Sequence, residues 1–250
     1  ELDFLIREGG RDLEWYRHHF ARRDAVACGE ISPRYLADPS APSRCAALFP
    51  GALILVVLRE PRARAMSHLL MDVRDEFGSV GRVDEVRLRT MATAPKYLDA
   101  SAYASHLRRW RSAMGPDRLR VLFQEKIESD SAAAVANLYR SLGLRDDVLP
   151  EGYDRRVNRS GDIHHHGLFR VLRSCSAALK ATGPGRSLME LIYRRTRLRE
   201  RVLGGMRSEA ELPKHQFETI FSAEAGRHLA GEVARLRRDF GFEVPASWNA

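Results

Sequence analysis

Arg59 and Ser67 stand eight residues apart in the stretch LREPRARAMS, Leu58 to Ser67, and their side chains suit one task, holding a phosphate or sulfate. A guanidinium offers such an anion a planar fork of N–H donors, and a hydroxyl adds another. The apolar run before them, Ala52 to Leu58, is short and β-branched, which predicts a strand buried on both faces. Pro61 is well placed to open a helix whose first N–H groups would face an anion. Ligands of open parallel α/β sheets bind beyond the carboxyl ends of the strands. The exit of this strand is therefore the first candidate site.

Other reactive residues are less informative. His18 and His19 are adjacent and cannot share one helical face, and His164, His165 and His166 are consecutive. Neither arrangement has the spacing of a metal site, so no metal is expected. Cys28, Cys45 and Cys175 include no C-x-x-C pair, which argues against a disulfide framework and suits a reducing, cytoplasmic location. Arg155, Arg156, Asn158 and Arg159 cluster in a loop expected over 144–161.

The elements that would position these residues read as alternating strands and helices. Asp24 to Gly29, DAVACG, predicts a buried strand running into Ser32-Pro33, and a helix is expected from about Ser43 to Leu48. Met71 to Pro95 is charged and poorly periodic and reads as a surface excursion. Tyr103, Leu107, Trp110 and Met114 fall on one helical face, with His106, Arg108, Arg109 and Arg111 off it. Gly115-Pro116 stops that helix, and Leu119 to Phe123 predicts another strand. Asp130 caps a helix ending at Gly143, and Ser222 caps a last one with Leu229, Val233, Leu236 and Phe240 on its apolar face and Gly241 as its stop. Trp248 is expected to fold back over the core. This is the rhythm of a parallel sheet flanked by helices. The expected organisation is a single domain, 1–250, with an α/β core over 1–167, a basic helical insertion over 168–210 and a C-terminal helix and tail over 211–250.

The sequence has 250 residues and a formal charge of +8, with Arg far outnumbering Lys. Its longest apolar run is about eight residues, short of the roughly 20 that span a bilayer. The Leu-rich basic stretch Leu168 to Arg207 is compatible with an anionic membrane surface, with nucleic acid, or with a rim around an acidic substrate. No DNA-reading motif or interleaved aromatic pattern accompanies it, so nucleic acid is not the expected partner.

Taken in order, several motifs resemble those of the sulfotransferase domain family that uses 3′-phosphoadenosine 5′-phosphosulfate (PAPS), most closely its heparan-sulfate-type branch and the bacterial proteins like it. They are the start at Glu1 to Phe4, Trp15-Tyr16 with Phe20, GEISPRYL at Gly29 to Leu36, LREPRARAMS at Leu58 to Ser67, LRVLFQEKI at Leu119 to Ile127 and LYRSLGL at Leu138 to Leu144. The resemblance implies a P-loop-like fold and transfer of a sulfuryl group from PAPS to a hydroxyl or amine of a carbohydrate or small-molecule acceptor. It implies that Arg59 and Ser67 hold the 3′-phosphate of PAPS and that Glu1 is the catalytic base. The family's Lys-x-Gly-Thr-Thr loop, which follows the first strand and cradles the 5′-phosphosulfate, is not in this sequence. By the resemblance the chain therefore reads as an N-terminally truncated fragment lacking that strand and loop, with apolar sheet surface left open. The competing readings are a non-enzymatic basic protein binding nucleic acid or an anionic membrane surface, and a P-loop nucleotide kinase.

Overall fold

Two strands organise the computed structural model, which describes residues 2–6, 12–20, 25–154 and 217–249. β1 (Ile54–Leu58) and β2 (Leu119–Phe123) pair in parallel, in a register running from Ile54 opposite Leu119 to Leu58 opposite Phe123. Both strands therefore end level, and both chain exits lie at one edge. The expected strand and its neighbour are present, but β1 is not buried on both faces: Leu55 is 41% and Val57 53% exposed, while Val56 and Leu58 on the opposite face are buried. Among the described residues no element covers the outer face.

The chain divides into two compact units, one of Glu1–Ala65, Leu98–Arg155 and Ala223–Ala250, the other of Met66–Tyr97 and Arg156–Ser222. The first holds the sheet. Its helices are α1 (Leu13–Arg17), α2 (Ala41–Leu48), the opening turn of α3 (Pro61–Phe77), α6 (Tyr103–Met114), α7 (Gln124–Ser129), α8 (Ser131–Ser141) and, last in the chain, α10 (Ala223–Phe240). α6 packs against α2 and α10. The core gathers Leu58, Leu107, Trp110, Phe123, Val233 and Leu236, and burying a side chain such as Leu107 contributes roughly 1.5–3 kcal/mol. Gly241, at φ 69°, takes the left-handed conformation that ends α10, and its N–H bonds Arg237 O at 3.0 Å. The tail then turns back as expected, setting Trp248 edge-on to Phe123 with ring centroids 5.2 Å apart.

In the second unit the body of α3 continues from Met66, followed by α4 (Glu85–Ala92), the start of α5 (Lys96–Asp99) and α9 (Phe217–Ile220). Leu69, Val73, Leu88, Tyr97, Phe217 and Ile220 are buried. Tyr97 meets His68 and Phe221 edge-on, and Asp72 accepts hydrogen bonds from Lys96 Nζ at 2.5 Å and Tyr97 Oη at 3.1 Å.

Two further expectations about the elements are corrected. Residues 25–29 form no strand, and Val26 and Cys28 are exposed. A short apolar run becomes a strand only where a ladder partner and a covering layer exist, and the described chain offers neither there. Met71 to Pro95 is not an irregular excursion, because α3 runs on to Phe77 and α4 follows. The expected basic segment 168–210 lies outside the described residues, as do Cys175 and His164 to His166.

Candidate active site

The paired strand exits are joined directly. Arg59-Glu60 leaves β1 and Gln124-Glu125 leaves β2, and the Glu60 N–H donates to Glu125 Oε1 at 2.8 Å. Glu60 also closes the start of α3 on itself. Its Oε1 accepts from Arg62 N at 3.0 Å and its Oε2 from Ala63 N at 2.5 Å. The helix N-terminus expected to face a bound anion is thus already occupied by a carboxylate of its own chain. That is the preferred partner for the positive end of a helix dipole, so an anion at this exit must be held by side chains instead.

Arg59 is half-buried at the end of β1, and Tyr103, the first residue of α6, buries its hydroxyl. Burial pushes that hydroxyl well above the ordinary phenol range, and the cations of Arg64 and Arg59 pull it partly back. Arg64, one turn into α3, is held below its usual range by burial, and its Nη1 is buried without a hydrogen-bond partner. Ser67 is half-buried at the seventh position of α3. Arg59 and Ser67 thus lie on one uninterrupted stretch of chain. Glu1 lies outside the described residues.

Beside the α3 start a cleft of about 240 Å³ is lined by Glu60, Arg62, Leu229, Val233, Arg237 and Trp248. It combines an apolar wall with two guanidinium-bearing side chains. Among the described residues no group of three or more His, Cys, Asp or Glu side chains is placed to hold a metal ion.

A second polar cluster forms around the Glu30 to Tyr35 motif. Burial, with the Glu30 carboxylate nearby, pushes the Tyr35 hydroxyl up to about 12 and the Tyr16 hydroxyl well above the ordinary phenol range. Tyr35 Oη accepts from Leu5 N at 3.1 Å, and Ser32 Oγ from Asp3 N at 3.3 Å.

Sequence reading did not find the roles of Glu60, Glu125 or Tyr103. Glu is not among the usual N-cap residues, so Glu60 carried no capping signal. The Pro after it was the available clue. His106, expected off the buried face of α6, is buried, with Nε2–H donating to Asp99 O at 2.6 Å and Nδ1 accepting from Arg109 Nη2 at 2.8 Å.

Known proteins carry the same chain pattern. A family model described as "Sulfotransferase family" matches residues 13–147. The chain is 27% identical over 190 residues to mouse heparan sulfate glucosamine 3-O-sulfotransferase 6, covering 74% of this chain and 52% of that protein. It is 32% identical over 108 residues to the Caenorhabditis elegans bifunctional heparan sulfate N-deacetylase/N-sulfotransferase 1, covering 40% of this chain and 12% of the relative. The chain thus spans about half the length of the first of these relatives and a smaller part of the second. In fold it is similar to the crystal structure of a sulfotransferase from Alicyclobacillus acidocaldarius, with a TM-score of 0.59 at 20% identity, over 96% of this chain and 75% of that one. The family match covers more than half of the residues, both strand exits among them, and on that ground the chain belongs to the sulfotransferase family.

Proposed function

We propose that this protein transfers a sulfuryl group from PAPS to a hydroxyl or amine of a carbohydrate acceptor. The observation that carries the reading is the placement of LREPRARAMS at the carboxyl end of β1, beside the exit of a parallel partner strand, in a chain of this family. The heparan sulfate named for the relatives supports a carbohydrate acceptor.

In this reading Arg59 and Ser67 bind the 3′-phosphate of the donor. Because Glu60 already satisfies the first free N–H groups of α3, the hold on that phosphate comes from the guanidinium and the hydroxyl. Glu1 takes the proton from the acceptor as its oxygen or nitrogen bonds to sulfur, while the bond from sulfur to the 5′-phosphate oxygen breaks. The charge that develops on that oxygen leaves with 3′-phosphoadenosine 5′-phosphate. Transfer of this kind depends mainly on placing the groups in line and stabilising the departing charge. The reaction as proposed uses no metal, and a cytoplasmic location agrees with the free thiols of Cys28 and Cys45.

Calorimetric titration of the full-length protein with 3′-phosphoadenosine 5′-phosphate tests the nucleotide role. Arg59→Ala is expected to weaken binding by about 10- to 100-fold, the loss of a charge-assisted hydrogen-bonded pair, and Arg87→Ala to leave it unchanged. No binding by the wild-type protein overturns the proposal.

A further inference from the structure

His106 is buried in α6 with both ring nitrogens engaged. Nε2–H donates to Asp99 O at 2.6 Å, which leaves Nδ1 as the acceptor for Arg109 Nη2 at 2.8 Å. The same Nη2 donates to Ala37 O at 3.0 Å, so one guanidinium nitrogen ties the imidazole to a turn 72 positions away. Among the described residues no carboxylate pairs with Arg109, and its Nε is buried without a hydrogen-bond partner. The grip on Ala37 thus depends on two neutral acceptors.

Ala37 belongs to the turn that begins at Ser32, and that turn holds residues 2–6. Ser32 Oγ accepts from Asp3 N at 3.3 Å, Tyr35 Oη accepts from Leu5 N at 3.1 Å, and Arg34 Nη1 donates to Asp3 Oδ2 at 3.3 Å. Asp3 takes φ 52°, a left-handed conformation that a non-glycine residue keeps only where its surroundings enforce it.

Protonating His106 reverses one of these contacts. An imidazolium carries N–H on both nitrogens, so Nδ1 stops accepting and sets a donor and a positive charge against the Arg109 guanidinium. Arg109 must withdraw, and Ala37 O loses its donor. The groups around the ring do not relieve this conflict. Arg64 faces it from the opening turn of α3 and opposes the charge, whereas Glu232 faces it from α10 and favours the charge. The Glu232 oxygens, however, are already engaged by Ser105 and Arg235. Asp99 presents its carbonyl and leaves its side chain exposed. α2, also packed on α6, has Arg44 and Cys45 as its titratable groups, neither of them a carboxylate. Burial, with the Arg109 and Arg64 cations, holds the imidazole below its ordinary 6.5, so the neutral form prevails at neutral pH.

We infer that His106 and Arg109 form an acid-released latch, in which the neutral imidazole holds residues 32–38, and through them residues 2–6, on α6, and the imidazolium lets them go. The latch is a regulatory device of the fold and does not depend on which donor or acceptor the protein uses.

Amide hydrogen exchange of the isotope-labelled full chain tests it, followed by NMR at about pH 7.5 and about pH 5, on either side of the ordinary imidazole range, and corrected for the intrinsic pH dependence of exchange. The reporters are the amides of Tyr35, Asp38 and Leu5, which bond Ser32 O, Arg34 O and Tyr35 Oη, and the reference is Ala134, which bonds Asp130 O at the start of α8. On acidification the reporters are expected to lose protection about tenfold while Ala134 stays within about twofold. His106→Gln keeps a neutral side chain and is expected to abolish the loss. Arg109→Leu is expected to show the low protection at both pH values. Equal loss at the reporters and at Ala134 means global loosening and overturns the latch, as does a loss that survives His106→Gln or full protection of the Arg109→Leu turn at the higher pH. Should a variant not fold, the wild-type protein still decides, because no loss at the reporters, or a loss shared by Ala134, overturns the inference.

Discussion

Two helices of the sheet-bearing unit take their N-terminal cap from a glutamate, and the two caps are built in opposite ways. Glu60 caps α3 from the adjoining residue, bonding Arg62 N and Ala63 N, and it remains half-exposed at the strand exit. Glu232 caps α6 from α10, 127 positions away. It accepts from Ser105 N at 3.1 Å, Ser105 Oγ at 2.9 Å and Arg235 Nη2 at 2.5 Å, and it is only 1% exposed. Ala102, at the N-cap position of α6, has no side chain able to do this. The local cap shapes a place where ligands arrive. The distant one fastens two core helices together, and its charge survives burial because each contact donates to it.

The largest expected effect comes from the buried cap. Glu232→Ala leaves Ser105 N–H and a partly buried Arg235 without their acceptor and is expected to destabilise the protein by about 3 kcal/mol, measured by urea unfolding. A loss no larger than that of a surface pair would break the contrast with Glu60. Glu60→Ala is the next step down. It removes a local cap and is expected to cost about 1 kcal/mol with an unchanged m-value.

A smaller, pH-dependent effect sharpens the same comparison. The hydrogen bonds from Ser105 and Arg235 outweigh burial and hold the Glu232 carboxyl below its ordinary 4.5. Its contribution is therefore complete above that value and is lost as pH falls through the depressed folded value. His106 is held below its ordinary 6.5, chiefly by burial, which disfavours the imidazolium. Protonation of the unfolded chain therefore begins to draw stability away as pH falls past about 6.5. Stability is expected to decline in two stages on acidification, and His106→Gln to flatten the upper one in a series of urea melts. Glu60→Ala is expected to leave both stages in place.

How far each region could be read in the sequence follows from how local its causes are. β2 and α8 carry their own signals: five residues of strand bounded by turns, and an aspartate whose carboxylate bonds Ala133 N at 2.9 Å ahead of a glycine stop. The apolar stripe of α10 likewise announced Leu229, Val233 and Leu236 as core. Glu232 lies inside that stripe with no signal of its own, because its partner Ser105 is named only by tertiary packing. α3 was cut short in the sequence reading for a related reason. Arg74 is buried beside Val73, so charge interrupts the apolar spacing that would have extended the helix to Phe77. At the candidate site, Arg59 and Ser67 were legible from a motif, whereas the Glu60 to Glu125 link and the Tyr103 hydroxyl depend on chain crossings. The run at 25–29 failed in the other direction, its strand propensity finding no ladder in the described chain.

The open face of β1 bears on how the protein behaves as a material. Leu55 and Val57 project from a parallel strand whose outer edge has no neighbour among the described residues, so unpaired N–H and C=O groups run alongside a strip of aliphatic side chains. Such an edge recruits other strands, including those of like molecules. A single lysine at position 57 would place a solvated charge on that strip while leaving Val56 and Leu58, on the buried face, untouched.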